Sequence, residues 1–465
     1  MQPFPRGFVW HRRPSSSPPG YVPGPIAGLH VERHTTVAHA SDGRRTVAIL
    51  GLAVPIDDGA GDLAGGLLDA LRHGDDAFHR GVGRLAGRFA IIVAEPRRLR
   101  VLGDAAAMRT IFYRTDFGAV ASHARLITET APAGLPCQYG FPGNLTPFAD
   151  VKLLTANTLL DLPLGIAWRR PAVRRFWPRR APAHCSAEQA AERVLAWTAT
   201  AMRNVAAGRT VRLALTAGLD SRVMLAVVKH SGVPFDTYTY DAAEQTETDV
   251  AVARDLAARD GLRHTVVPCR PAEAMQEALE TATYANHHYR AVEPLAAFFG
   301  DADTIAVTAN LLEIGRAFYA KYADAAPPVS APAMKALHLR AMTERVRALC
   351  GEWDGWGRQS RAAFRAFLAD SDFNAARGMI DPFDQFYWEH RMSAWHGLNM
   401  LERDFYAQAF IPFNAHAVWE TLLGVPEDER RASAAFHRII ERVDPRLLEV
   451  PINPKRGAAP SAPPA

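Results

Sequence analysis

Apolar and polar positions change their spacing near Ser186, and the change separates two kinds of pattern along the chain. Before Ser186, short apolar runs predict strands, and apolar residues at helical spacing predict a helix over 63–72. The predicted strands are Thr46–Leu52, Phe89–Val93, Arg100–Leu102, Ile111–Tyr113 and Ala119–Ser122. The first part of the chain is therefore expected to be rich in β-structure.

After Ser186, predicted strands alternate with predicted helices. The helices are expected at about 187–205 and 249–260. The strands are expected in the apolar run before Thr216 and at about 235–240, 264–267 and 304–308. This alternation is typical of a parallel sheet with helices on both faces, whose ligands bind beyond the carboxyl ends of the strands.

Three further segments have patterns of their own. Residues 169–184 are rich in arginine and proline and predict a linker. Beyond Ala317 the spacing predicts helices at about 333–349, 360–368, 384–395 and 415–423. Residues 457–465 contain only Gly, Ala, Pro and Ser, a composition that predicts disorder.

Composition narrows the class of protein. Hydrophobic residues make up 48% of the 465 residues and charged residues 22%, as in a globular protein large enough for two domains. The net charge is +4 and the basic residues form no stripe, so no nucleic-acid partner is expected. No apolar run has transmembrane length, and the first 20 residues lack the apolar core of a signal peptide. A cytoplasmic protein without a membrane partner is expected.

The segment from Thr216 to Ser221 is the strongest candidate for a binding site in the chain. It reads Thr-Ala-Gly-Leu-Asp-Ser, follows an apolar strand pattern and leads into an apolar helix pattern. Small residues let the backbone approach an anion, and a helix N-terminus supplies free N–H groups. Asp220 adds a carboxylate where a magnesium–pyrophosphate complex would lie. The alternative is an ordinary helix start, with Asp220 or Ser221 as the cap.

This loop resembles the pyrophosphate-binding loop of N-type ATP pyrophosphatases, usually Ser-Gly-Gly-x-Asp-Ser. Other segments extend the resemblance to the asparagine synthetase / β-lactam synthetase family. Gly87–Val93, Asp104–Tyr113 and Ala121–His123 resemble its glutaminase-type part, and Thr308–Gly315 resembles its second metal and pyrophosphate element.

The resemblance implies an α/β protein with two domains and a tail. Residues 1–168 would form a glutaminase-like domain, an Ntn-hydrolase-like αββα sandwich. Residues 186–457 would form the ATP-binding synthetase domain, a doubly wound parallel sheet with a helical C-terminal extension. Residues 458–465 would be a disordered tail.

The resemblance also implies ATP and Mg²⁺ as cofactors. Asp220 and Glu313 would bind the metal, and Glu313 and Lys455 would be catalytic. Lys455 is one of only five lysines among 53 basic residues, and it would stabilise the adenylation and acyl-transfer states. The implied ATP- and pyrophosphate-binding residues are Leu215, Thr216, Ala217, Gly218, Leu219, Asp220, Ser221, Arg222, Tyr240 and Arg316.

Three departures from the family pattern bear on the activity. Gln2 stands where glutaminase members have a cysteine, so the nucleophile that splits glutamine is missing. Leu311 replaces a glycine of the second element, and its side chain is expected to crowd the phosphates. Ala217 replaces a glycine of the first loop and is expected to place a methyl group near the phosphates.

We therefore expect an ATP-dependent, AMP-forming amide-bond ligase without glutaminase activity. Its partners would be a small-molecule or peptide carboxylate and an amine. The amine would be free ammonia, a second substrate, or a group of the same substrate, which would give a lactam or macrolactam. One alternative is a catalytically silent binding or scaffold protein, and another is acyl transfer to a nucleophile other than an amine. The oligomeric state is left open, with a homodimer among the options.

Overall fold

A computed structural model of the chain describes residues 3–13, 15–59, 61–133, 140–165, 169–284, 288–300, 303–352 and 355–454. The strands are β1 (Phe8–His11), β2 (Tyr21–Pro23), β3 (Leu29–Glu32), β4 (Val37–Ser41), β5 (Thr46–Pro55), β6 (Leu85–Glu95), β7 (Arg98–Gly103), β8 (Phe112–Arg114), β9 (Ala119–Ala121), β10 (Val151–Leu153), β11 (Thr158–Pro163), β12 (Ala172–Arg175), β13 (Thr210–Ala214), β14 (Asp236–Asp241), β15 (His264–Pro268), β16 (Thr304–Val307) and β17 (Gln408–Phe410).

The α-helices are α1 (Leu63–Arg72), α2 (Asp75–Val82), α3 (Ala187–Ala206), α4 (Leu219–Ser231), α5 (Glu247–Arg259), α6 (Glu273–Thr283), α7 (Tyr289–Phe299), α8 (Ala331–Ala341), α9 (Glu344–Glu352), α10 (Trp356–Asp370), α11 (Pro382–Phe386), α12 (Gly397–Arg403), α13 (His416–Leu423), α14 (Glu427–Arg431) and α15 (Ala434–Val443). A π-helix, Tyr387–His396, joins α11 to α12. Among the described residues, no helix is both long and apolar enough to cross a membrane.

The first part of the chain forms two antiparallel sheets. Their strand orders are β10-β8-β9-β1-β3-β2 and β12-β11-β7-β6-β5-β4. Alternate residues of β1 face opposite ways: Phe8 and Trp10 join one apolar cluster with Leu50 and Ile92 of the second sheet, whereas Val9 joins another cluster. This alternation is the period of a strand with both faces buried. The two sheets therefore share an apolar layer.

The segment predicted as a linker is not purely a linker. Within it, β12 pairs with β11, and Phe176 and Trp177 that follow are buried. The linker prediction failed because the charge of Arg175 hides the strand in the sequence pattern. In the structure the guanidinium of Arg175 lies 2.6 Å from the buried carboxylate of Glu389, which is distant in sequence. The second sheet therefore extends into this arginine-rich segment.

The second part of the chain contains a five-stranded sheet of order β15-β14-β13-β16-β17. All of its strand pairs are parallel, as the alternating pattern predicts. The chain runs from β13 outward through β14 and β15, then returns to the other side of β13 to form β16 and β17. The crevice between β13 and β16 is therefore the switch point where ligands of such sheets bind.

A buried ion cluster joins the two parts. Asp404, directly after α12, accepts hydrogen bonds from Arg88 of β6 at 2.9 Å and from Arg109 at 2.7 Å. Burial acts to raise the pKa of Asp404, but the two guanidinium groups outweigh it and hold that pKa below its usual range. The helical C-terminal region is thus fixed against the antiparallel sheets by charges that neither part could leave unpaired.

Candidate active site

The loops that follow β13 and β16 meet at the switch point of the parallel sheet. The register pairs Thr210 with Thr304 and Leu213 with Val307, so the two strands end level with each other. The first strand leads through Thr216 into α4, and the second leads into a 3-10 helix, Leu312–Arg316. Both segments predicted to bind pyrophosphate therefore lie at one edge of the sheet.

The loop before α4 is held by the hydroxyl of Ser221. This hydroxyl donates to the carbonyl of Thr216 at 3.0 Å and accepts from the amide of Thr216 at 3.2 Å. The N-cap of α4 is Gly218, and no described side chain caps the helix. The alternative that Asp220 or Ser221 caps the helix is therefore wrong, and the first N–H groups of α4 have no side-chain acceptor.

Asp220, Glu313 and Arg316 come together at this edge. Nη2 of Arg316 lies 3.1 Å from Oδ2 of Asp220 and 3.7 Å from Oε1 of Glu313. Burial, and then the negative charge of Glu313, raise the pKa of Asp220 well above its usual range, while Arg316 opposes the shift. The structure thus places two carboxylates and one guanidinium at the mouth of the crevice.

These two carboxylates suit a magnesium ion that is also bound by phosphates. Oδ1 of Asp220 is buried and has no hydrogen-bond partner. Carboxylate oxygen is the ligand type that Mg²⁺ prefers, and one or two carboxylates commonly suffice when phosphates and water complete the shell. Within the described residues, no three His, Cys, Asp or Glu side chains are grouped to hold a metal alone. The donor set therefore fits a metal that arrives with a nucleotide.

Leu311 and Ala217, which were expected to lie near the phosphates, have their side chains in the apolar core. Both side chains are 1% exposed and belong to the main apolar core. Leu311 adopts a φ of +83°, the left-handed region that a glycine would adopt without strain. The backbone therefore keeps the shape of a glycine turn, and the side chain is directed into the core.

The side chain of Arg222 is held by backbone carbonyls. Its guanidinium is fully buried and donates to the backbone carbonyls of Leu447, Val450, Pro451 and Ala217. The amide of Asn453 also donates to the carbonyl of Ala217, at 3.1 Å. The guanidinium of Arg222 therefore fastens the C-terminal segment to the loop, and its part in nucleotide binding stays a prediction.

The other predicted residues lie in different places. The side chains of Leu215 and Leu219 are buried, so only their backbone groups are left to contact a nucleotide. Tyr240 lies on β14 beside the loop, and its ring meets His288 edge-on at 6.3 Å between centroids. Lys455 lies outside the described residues, which reach Pro454.

One residue of the site was missed by the sequence reasoning. Asp249, at the start of α5, accepts a hydrogen bond from the amide of Ala217 at 2.8 Å. It thereby occupies one of the N–H groups expected to bind phosphate. An acidic residue in the first turn of the helix after β14, which neighbours β13, is the signal that would have identified it.

Comparison with known proteins bears on this site. Residues 193–299 match the family described as asparagine synthase. The match confirms the resemblance over this segment, which contains the loop, Arg222 and Tyr240 and ends before Glu313. No curated protein matches the chain at a significant level.

Some solved structures are weakly similar. NMN synthetase from Francisella tularensis is 16% identical, with a TM-score of 0.23 over 29% of this chain and 59% of that one. Glutamine phosphoribosylpyrophosphate amidotransferase from B. subtilis is 12% identical, with a TM-score of 0.20 over 52% of each chain. NAD⁺ synthetase from Burkholderia pseudomallei is 15% identical, with a TM-score of 0.19 over 57% of this chain and 91% of that one. This chain spans less than two thirds of the first two structures.

Proposed function

Starting from the asparagine synthase match of residues 193–299, we propose that the chain is an ATP-dependent, AMP-forming amide-bond ligase. Its substrates are a carboxylic acid, either a small molecule or a peptide, and an amine. The amine is ammonia, a second substrate, or a group of the same molecule. In the last case the product is a lactam or macrolactam.

The proposed reaction has two steps. An oxygen of the substrate carboxylate attacks the α-phosphorus of ATP, the bond to the β-phosphate oxygen breaks, and pyrophosphate leaves. The amine nitrogen then attacks the acyl carbon, the amide forms, AMP leaves, and the amine gives up one proton. Glutamine is not a nitrogen donor, because Gln2 replaces the required cysteine. The antiparallel sheets then form a glutaminase-like αββα sandwich that serves as a non-catalytic platform.

Each residue of the crevice has a role in this proposal. The uncapped first turn of α4 donates N–H groups to the leaving pyrophosphate, with the hydroxyl of Thr216 beside it. Asp220 and Glu313 hold the metal, which would neutralise charge on the phosphates. Lys455 follows Pro454 directly in the chain, and in this proposal its ammonium stabilises the negative charge that develops on the phosphate and the acyl group.

The observation that carries the proposal is the meeting of Asp220 and Glu313 at one guanidinium, at the switch point of a parallel sheet. Two acidic residues from different elements at a ligand-binding crevice are costly unless a cation joins them, and Arg316 is that cation in the structure. A metal–nucleotide complex would bring a second cation together with the phosphates that the N-terminus of α4 would bind.

The test is exchange of labelled pyrophosphate into ATP in the presence of Mg²⁺ and a panel of carboxylic acids, including peptides. Exchange that depends on one acid is expected, and Asp220→Asn should abolish it. The control is Asp428→Asn, which removes an exposed carboxylate of α14 and should leave exchange unchanged. Adding amines to the active acid should then release AMP, and glutamine should not replace ammonia.

The outcome that overturns the proposal is also defined. It is absence of exchange with every acid, together with no change in melting temperature on adding ATP and Mg²⁺. That result would support the silent scaffold protein, in which Asp249 and Arg316 permanently occupy the groups that a nucleotide needs. Exchange without transfer to any amine would instead support acyl transfer to another nucleophile.

A further inference from the structure

One nitrogen of Arg316 serves both carboxylates of the crevice. Nη2 is 3.1 Å from Asp220 and 3.7 Å from Glu313, and the three side chains are only 20–28% exposed. Arg316 is the last residue of the 3-10 helix that carries Glu313, so its contact with Glu313 is local and its contact with Asp220 crosses the crevice. Arg316 is thus the cationic contact of Asp220.

A metal ion on Asp220 would lie beside the guanidinium of Arg316, because that guanidinium contacts the same carboxylate. Oδ2 of Asp220 accepts from Arg316, whereas Oδ1 is buried without a partner. A guanidinium and a divalent cation repel each other and cannot both lie against the same carboxylate oxygen. Arg316 therefore opposes metal binding for as long as its guanidinium contacts Asp220.

The guanidinium would have a better partner once a nucleotide is bound. Its planar fork of donors matches a phosphate group, and a triphosphate carries more charge than a carboxylate. Nε of Arg316 is buried and unpaired while the side chain contacts the carboxylates, so this position leaves one of its donors unused. The neighbouring Ala317 has a φ of +49° and ends the 3-10 helix, so Arg316 lies at the end of its element.

We infer that Arg316 is a built-in counter-ion that neutralises Asp220 and Glu313 until the metal–nucleotide complex arrives, and then moves to the phosphates. This inference rests on the proposed function, since it takes a nucleoside triphosphate with a divalent cation as the ligand. It has a direct consequence: free metal binds weakly, and metal and nucleotide strengthen each other's binding. That coupling is reciprocal by thermodynamic necessity.

The experiment measures Mn²⁺ binding to the full chain by electron paramagnetic resonance, with and without α,β-methylene-ATP. Without nucleotide, Arg316→Met should bind Mn²⁺ about tenfold more tightly than the wild type, because the competing charge is gone. With nucleotide the wild type should gain affinity for Mn²⁺, and Arg316→Met should gain less. The nucleotide itself should bind the variant more weakly, because a phosphate contact is lost.

Three variants complete the design. Arg316→Lys keeps the charge and should keep Mn²⁺ binding weak without nucleotide. It is the control that separates loss of the charge from misfolding caused by a substitution at this position. Arg340→Met removes an arginine from a pair with the exposed Asp324, at 2.9 Å, and should change nothing. Asp220→Asn should abolish Mn²⁺ binding with and without nucleotide.

The failures of the two proposals can be told apart. If the wild type and Arg316→Met bind Mn²⁺ equally well without nucleotide, the role of Arg316 is overturned while the metal site stands. If no variant, including the wild type, binds Mn²⁺ even with nucleotide present, the proposed function fails and the inference fails with it.

Discussion

At the start of α4, the guanidinium of Arg222 is enclosed by backbone carbonyl groups. Its neighbour Asp220 contacts Arg316 in the crevice, whereas Arg222 holds the segment after α15. Burial lowers the pKa of Arg222 to about 10, so it remains charged at neutral pH. Four carbonyl acceptors offset the cost of burying this charge.

Arg222→Met should therefore free the C-terminal segment. Hydrogen bonds to a charged group contribute about 1.5–3 kcal/mol each, so we expect a loss of about 3 kcal/mol in unfolding free energy after partial repacking. Hydrogen exchange at Asn453, whose amide is bonded to Ala217, should become faster. Arg438→Met, which removes an exposed arginine of α15, is the control, and equal exchange in both variants would contradict the prediction.

Leu311 gives a second prediction at the scale of one residue. Its φ of +83° strains any residue with a side chain, by about 1–2 kcal/mol. Leu311→Gly should therefore be as stable as Leu311→Ala or more so, although glycine is normally the less stable of the two.

Its neighbour Leu312 offers the matched control. Leu312 is equally buried but is not among the positive-φ residues. Chemical denaturation of the four variants should show that the alanine variant is more stable than the glycine variant at Leu312 only. The same order at both positions would mean that the strain is absent.

At the scale of elements, α3 shows what local sequence decides. Its first turn has a capping box in which Ser186 accepts from the amide of Gln189 at 3.2 Å and Gln189 accepts from the amide of Ser186 at 3.1 Å. The helix packs on α4 and α15, and it thereby supports α4, whose first turn belongs to the candidate site. Its beginning is encoded in these few residues.

Ser186→Ala should lower the unfolding free energy by about 1 kcal/mol, the usual value of an N-cap. Ser186→Asp should retain most of the stability, since aspartate is an equally good cap. Thermal unfolding of the two variants is the measurement. If alanine and aspartate prove equally destabilising, the loss comes from packing and not from the cap.

Elements governed by neighbouring residues were predicted well, and those governed by distant ones were not. The helix predicted over 63–72 is α1. Its N-cap is Asp62, whose side chain accepts a hydrogen bond from the amide of Gly65. The single helix predicted over 333–349 is two helices, because Thr343 accepts from the amide of Val346 and starts α9. β17 has only three residues, so it carries no pattern of its own and exists because it pairs with β16.

At the scale of the whole molecule, burial of histidine makes stability depend on pH. Desolvation lowers the pKa of His123, His390 and His416 to about 3 and that of His79 to about 4. These side chains stay neutral in the folded protein, whereas they bind protons below pH 6.5 in the unfolded chain. Stability should therefore fall as the pH drops from 6.5 toward the folded pKa values.

As the pH falls from 7 to 5.5, each of these histidines should lower the unfolding free energy by about 1 kcal/mol. Urea denaturation at several pH values measures the slope. His416→Asn should reduce the slope by the share of one histidine, whereas His73→Asn, at a side chain that is 71% exposed, should not. A stability that does not change over this range would contradict the prediction.

The sequence by itself determined the strand–loop–helix around Thr216, the alternation that builds the parallel sheet, and the family resemblance over residues 193–299. These depend on residues close together in the chain, where propensity and spacing act directly. Only the tertiary structure decided that Asp220 and Glu313 share Arg316, that Arg222 joins the loop to the C-terminal segment, and that Leu311 points into the core. Strand order and burial decide such contacts, and both depend on the packing of the whole chain.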